Sequence, residues 1–436
     1  MKHDGRKRVI AEAQFMRRRH ISQVAGHHAN RPHLPVGSVS GAIATMQHVR
    51  SVRVPPVSGK AVRMATTAFL STARLAFLVS SLVGSAAAQD KRATSKPFNF
   101  FVSGHSLNDN PFAQYLAAIA ASQGFETRWN QQIVIGSPLR WRTWGEKGDW
   151  SGYRVGKNAN HRNDMDVMRE LREKRGRDAY QFLIVAEGHN TVSALRWNDS
   201  ARFLRHFHER LIDGNPAGRT VLYEPWESIK DLSDPAPWIK LERSATKVWG
   251  CVVRRINTSL EHESRLDRVS SVPIGSGLAT LVERALAERL PGISTATPLE
   301  TMKRIFTDDV HLTRLGIYYA ALLTYLGVTD GPPQTFWHPP EVTKEQAASL
   351  QGVALQFSRS NSQPTQLTLE DCRKLMVDSF CDDWNSYVPG KWAGPVHECK
   401  PYFARSEPTI DRFGSANPFA FDAKADASYW FPPMRP

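Results

Sequence analysis

The sequence predicts an α/β protein: a flavodoxin-like three-layer α/β/α sandwich on a parallel sheet, followed by an irregular C-terminal extension. Three observations predict it. From Pro97 to about residue 330, short apolar runs alternate with helical patterns. At that spacing each run joins the next through a helix, which implies parallel strands and right-handed crossovers. Finally, 41% of the 436 residues are hydrophobic and 22% are charged, the balance of a globular chain with a core to bury.

The elements follow in order. Phe98 to Val102 is a short buried strand. A helix spans Pro111 to Gln123, with proline at its start and Gly124 just past its end. Ile133-Val134-Ile135 is the second strand. A charged helix, Asp164 to Lys174, leads into the third strand, Tyr180 to Ala186. A helix from Ser200 to Ile212 precedes the fourth, Thr220 to Tyr223. Val269 to Ile274 is a weaker fifth, and the last helix of the domain runs from about Arg314 to Leu326. In open parallel sheets, sites form outside the carboxyl ends of the strands.

The net charge of +14 suggests nucleic acid, but its placement argues against it. Residues 1–63 hold twelve Lys/Arg against two acids, a net of +10, which leaves +4 for the rest. The folded body therefore lacks the basic stripe that nucleic-acid binding needs. Met64 opens a secretory signal pattern: Arg74, an apolar stretch from Leu75 to Val83, then an A-x-A-like cleavage site at Ala86-Ala87-Ala88. The expected mature chain begins near Gln89, in the periplasm or outside the cell; an uncleaved anchor is the alternative. A signal works at a chain's start, so the expected translation start is Met64 or Met46. Residues 1–63 are then a gene-model extension; a disordered basic arm or a long signal n-region are the alternatives. No run of about 20 apolar residues lies within the body, so no membrane span is expected once residues 64–88 are removed.

An exported chain with an even cysteine count favours disulfides. Three of the four cysteines, Cys372, Cys381 and Cys399, cluster near the C-terminus, and the fourth is Cys251. That clustering favours one bridge within the tail and one back to Cys251, although four cysteines allow three pairings. The spacings match zinc patterns poorly. Residues 331–436 form a separate Pro- and aromatic-rich segment after Gly331-Pro332-Pro333, with helices near Val342 to Leu350 and Leu369 to Phe380. Wrapping the domain is its expected role; a lid or a glycan-binding surface are the alternatives.

Four features sit at the strand ends. The first strand runs into Ser103-Gly104-His105-Ser106-Leu107, which places the Ser106 hydroxyl on a sharp strand-to-helix turn. Gly136 follows the second strand, where a glycine either permits close backbone approach or simply makes the turn before Pro138, the expected role from these residues alone. The third ends in Glu187-Gly188-His189-Asn190; Asn190 is either an amide donor at the sheet edge or a helix cap. Before the last helix stand Asp308 and His311, whose spacing lets a carboxylate reach the imidazole Nδ1–H while Nε2 faces outward. His105, His189, Glu224 and Trp226 lie along the same edge as candidate substrate contacts; for His105 the alternative, and the expected role, is packing. Trp141, Trp144 and Trp150, with Arg140 and Arg142, either stack on sugar rings or cover a core edge.

In this order, over about residues 97–330, the four blocks resemble those of the SGNH, or GDSL-like, serine hydrolase family. Ser106 matches the nucleophile block, Gly136 and Asn190 the second and third, and Asp308 with His311 the last. The resemblance implies the SGNH hydrolase fold and a Ser106–His311–Asp308 triad. It also implies an oxyanion hole from the Ser106 and Gly136 N–H groups and the Asn190 amide. Three departures mark a divergent branch: His105 replaces the usual Asp before the serine, Thr191 follows Asn190, and Leu312 follows His311. The implied activity is hydrolysis of an acyl ester, with O-acetyl groups on carbohydrate as one substrate. No metal or organic cofactor enters it, and the oligomeric state is left open. A lipid esterase or thioesterase, or a non-catalytic glycan-binding protein, are the alternatives.

Overall fold

The structure is a computed structural model that describes residues 96–145, 147–329, 336–361, 367–388, 398–408 and 415–432. The expectations for residues 1–63, for the signal at 64–88 and for the 331–333 boundary lie outside those residues. Among the described residues, five strands form one sheet: β1 (Pro97–Gly104), β2 (Glu126–Ile133), β3 (Phe182–Ala186), β4 (Arg219–Tyr223) and β5 (Val269–Val272). Their order is β2-β1-β3-β4-β5 and every pairing is parallel. This is the doubly wound order whose crevice lies at the carboxyl end, beside the strand where the winding reverses. Here that strand is β1, and Ser106 follows it.

Helices flank the sheet, as a three-layer sandwich requires: α1 (Phe112–Ser122), α2 (Leu139–Thr143), α3 (Val167–Glu173), α4 (Thr191–Arg196) and α5 (Ser200–Gly214), then α6 (Ala236–His262), α7 (Ile274–Ala287), α8 (Pro298–Ile305) and α9 (Arg314–Val328). β1 is buried almost end to end because it pairs on both sides, so Phe98, Phe100, Phe101 and Val102 form the centre of the core. α6, α7 and α8 were not anticipated. Yet α6 carries an apolar stripe at Trp238, Leu241, Ala245, Val248, Val252 and Ile256, all buried. Gly250 and the basic residues between those positions obscure the stripe.

The second strand differs from expectation. The strand is Glu126–Ile133, and the apolar run Ile133–Ile135 is mostly the turn that follows it. As an edge strand, β2 needs only one partner and one covered face, so polar residues serve. The buried Gln132 amide donates to the carbonyls of Gly152 at 2.8 Å and Val155 at 3.0 Å. Ile135, by contrast, is 58% exposed.

The described residues of the C-terminal segment are more helical than irregular, and the segment belongs to the same compact unit as the sheet. It contains α10 (Lys344–Ser360), α11 (Leu369–Leu375), which runs through a π turn (Met376–Phe380) into α12 (Cys381–Tyr387), and the short α13 (Cys399–Phe403) and α14 (Asp426–Tyr429). Thr343 and Thr368 open α10 and α11 with capping boxes. Two disulfides hold the segment: Cys251–Cys372 ties α11 to α6, and Cys381–Cys399 closes the tail on itself. With all four cysteines paired, none serves a metal. A fully buried ion pair, Arg255 to Asp426 at 2.5 Å, fastens the last helix to α6. Among the described residues, no helix is long and apolar enough to cross a membrane.

Candidate active site

β1 ends at Gly104, and a 3-10 turn, Ser106–Asn108, follows at once. The turn folds back because the Asn108 side chain accepts the His105 N–H at 2.9 Å. That amide occupies the space where a Cβ on residue 104 would sit, which is why the position is glycine. The result is a half-buried Ser106 Oγ at the carboxyl edge of the sheet.

The loop between α8 and α9 brings the other two residues. A bridge between Phe306 and Leu312 closes it, and the Thr307 N–H donates to the His311 carbonyl at 2.7 Å. Inside the loop one oxygen of Asp308 accepts the N–H groups of Val310 at 2.9 Å and His311 at 2.7 Å. The other oxygen accepts from His311 Nδ1 at 2.8 Å. His311 Nε2 then lies 3.0 Å from Ser106 Oγ, across 205 residues of sequence. Partial burial opposes ionisation of Asp308, but the hydrogen bonds from His311 and Val310 outweigh it and hold the carboxyl below its ordinary range. An ionised carboxylate on Nδ1–H leaves Nε2 as the acceptor for the serine O–H. Such a relay can make a hydroxyl nucleophilic and return its proton to a leaving group.

The strand order decides what flanks Ser106. β1 lies between β2 and β3, so the loops after those strands stand on either side of the serine turn. On one side, Val134 N–H donates to Gly104 O at 3.0 Å, and the chain turns through the exposed Gly136 at φ +67°. On the other, Asn190 adopts the left-handed region at φ +86°. Its Oδ1 caps α4 by accepting the Ser193 N–H at 2.9 Å. Asn190 is thus a helix cap at the sheet edge, with its amide orientation set by the cap.

Three of the four candidate substrate contacts do not face outward. His105 is buried, and its Nε2–H donates to the Glu187 carbonyl at 2.8 Å. Burial, aided by the Arg142 guanidinium, lowers its pKa to about 3, so the ring is a neutral packing residue between β1 and β3. Trp226 is buried against the loop that carries Asp308 and His311, where its indole N–H donates to Val310 O at 2.8 Å. Glu224 is buried as well and accepts from Thr246 Oγ1 at 2.5 Å; burial pushes its carboxyl up to about 7. Only His189 is exposed. The tryptophans after β2 also turn inward: Trp150 stacks on His206 at 3.8 Å and Trp144 on Phe431 at 5.8 Å, while Trp141 stays 41% exposed.

Sequence reasoning missed the groups that hold these loops. Buried Glu187 accepts the N–H groups of Leu139 at 2.8 Å and Gly188 at 2.7 Å, with Ser200 Oγ at 2.6 Å, so it couples the β2 and β3 loops. Buried Arg142 donates to Ser103 Oγ at 2.9 Å and to the Ala186 carbonyl. Glu227 supports Asn190. The available signal was positional: Glu187 directly follows β3, and Glu227 stands in the loop after β4.

No protein-family model matches the chain, and no curated protein matches it either. Among solved structures, the chain is similar to a DUF4886 family protein from Bacteroides uniformis, at 13% identity and a TM-score of 0.41, over 62% of this chain and 98% of that one.

Proposed function

We propose that this protein is an exported serine esterase of the SGNH type. One observation carries the reading: the continuous relay from Asp308 Oδ2 through His311 to Ser106 Oγ, at 2.8 and 3.0 Å. Ser106 Oγ attacks an ester carbonyl as His311 Nε2 takes its proton. The N–H groups of Ser106 and Gly136 and the Asn190 amide receive the developing oxyanion. Collapse breaks the carbonyl–alkoxy bond, and His311 protonates the departing alcohol. Water, deprotonated by His311, then attacks the acyl-serine, releasing the acid and restoring Ser106. The reaction consumes only water besides the ester.

The site is open. The side chains of His311 and Asp308 are 41% and 50% exposed, so a bulky alcohol can approach. This supports small acyl esters on a large carrier, such as O-acetyl groups on carbohydrate, over a substrate that must bury a long acyl chain. The inward packing of Trp144 and Trp150 weakens the non-catalytic glycan-binding reading. The signal pattern at residues 64–88 and the two disulfides support export to an oxidising compartment.

Hydrolysis of short-chain aryl esters near neutral pH tests the proposal. The wild type is expected to turn over p-nitrophenyl acetate, and Ser106→Ala and His311→Ala to abolish it. Asn190→Ala is expected to lower kcat by about 10²–10³-fold through loss of one oxyanion donor. A wild type inert to every such ester, or a Ser106→Ala variant with full turnover, overturns the esterase reading.

A further inference from the structure

Asn190 is the conformationally costly residue of the site. Its left-handed backbone, φ +86° and ψ +75°, is sparsely populated by non-glycine residues and persists only where its surroundings enforce it. Glu227, in the loop after β4, supplies the enforcement. Its two carboxylate oxygens lie 3.0 and 3.1 Å from the Asn190 nitrogen, whose N–H they share. The same carboxylate accepts the Thr191 N–H at 2.9 Å and the Thr191 hydroxyl at 3.0 Å. These are the two residues where the β3 loop turns into α4.

Glu227 is itself held. Its own N–H donates to Glu242 Oε1 at 2.7 Å, and its carbonyl accepts the Trp238 indole N–H at 2.9 Å. The carboxylate is buried, and its titratable neighbours are Glu242 and the Tyr387 hydroxyl, with Glu224 beyond Glu242. Burying a carboxylate beside other carboxyls is unfavourable for the fold. A rigid acceptor for three donors on one turn is what it provides in return.

We propose that Glu227 is a positioning residue for ester hydrolysis: it clamps the Asn190–Thr191 backbone and so keeps the Asn190 amide aligned with the oxyanion formed at Ser106. The proposal rests on the esterase reading. Glu227 touches no substrate; it acts through Asn190. Misplacing an oxyanion donor weakens transition-state stabilisation more than ground-state binding, so the loss falls on kcat. Glu227→Gln keeps the size of the side chain and one acceptor oxygen, but puts an NH2 group in place of the oxygen 3.1 Å from the Asn190 nitrogen, where donor then faces donor.

The test is a double-mutant cycle on p-nitrophenyl acetate with the wild type, Glu227→Gln, Asn190→Ala and the double variant. Glu227→Gln is expected to lower kcat by at least about tenfold, with KM changed by less than about twofold. The double variant is expected to be no slower than Asn190→Ala alone, because Glu227 has no other route to the reaction. If melting curves show that Glu227→Gln is unfolded, Thr191→Val, which deletes one donor, replaces it in the cycle. It is expected to give a smaller kcat loss that is again absent in the Asn190→Ala background. Losses that multiply in the cycle, or an unchanged kcat in the single variant, overturn the role of Glu227 and leave the esterase reading standing. A wild type without turnover overturns both.

Discussion

Asp308 does two things with one carboxylate. One oxygen gathers the Val310 and His311 N–H groups and so shapes the loop, while the other fixes the His311 tautomer. Substitutions separate the two. Asp308→Asn retains an acceptor for the backbone, but its amide NH2 faces Nδ1 and favours the tautomer with a proton on Nε2. Its kcat is expected to fall about 10³–10⁴-fold with little change in melting temperature. Asp308→Ala removes the loop's acceptor as well, and its melting temperature is expected to fall below that of the Asn variant. Equal melting temperatures, with full activity in Asp308→Asn, would remove both roles. At this scale the Asp308–His311–Ser106 contacts were legible, because each of the three residues belongs to a short local pattern next to a strand or helix end. Glu224 and Trp226 turn inward, and of the two readings of His105 packing is the one found, because a strand-end position does not say whether a side chain turns toward solvent or back under the loop.

Among the elements, the strand-to-turn junction after β1 is the most demanding. Gly104 leaves room for the Asn108 amide, which accepts the His105 N–H and sets the turn that presents Ser106. Gly104→Ala puts a methyl group into that amide. Turnover is expected to fall by at least about tenfold, in line with the sensitivity of catalysis to small displacements of the reacting group. Far-UV circular dichroism should stay unchanged, since the sheet remains paired. Wild-type activity in this variant would show that the turn is not what holds Ser106. The strands β1, β3 and β4 were readable because buried parallel strands are continuous apolar runs. β2 was shifted because an edge strand escapes that rule, and its polar sequence hides it.

Across the described molecule, buried carboxyls tie the site to stability. Burial pushes Glu224 and Glu227 up to about 7, and burial together with Glu227 raises Glu242 well above the usual range. Each binds its proton more tightly folded than unfolded. The stability they contribute is therefore full below the ordinary carboxylate range and is lost as pH rises through the folded value. His105 and His206, lowered to about 3 mainly by burial, act with the opposite sign, but only below 6.5, the value that burial displaces. Between pH 6.5 and 8 the carboxyls set the slope, and the melting temperature is expected to fall. Glu242→Gln should flatten that slope; a melting temperature that rises over this interval contradicts the assignment. The Cys251–Cys372 bridge, spanning 121 residues, fastens the C-terminal segment to α6. Replacing both cysteines with serine is expected to destabilise the protein by roughly 2–4 kcal/mol in chemical denaturation.

An activated Ser106 nucleophile reacts with a fluorophosphonate. Incubation followed by intact-mass and peptide mass spectrometry should show one adduct, on Ser106, that is absent in Ser106→Ala and strongly slowed in His311→Ala. A wild-type protein that stays unlabelled, or that carries its adduct on another residue, would show that Ser106 is not the nucleophile.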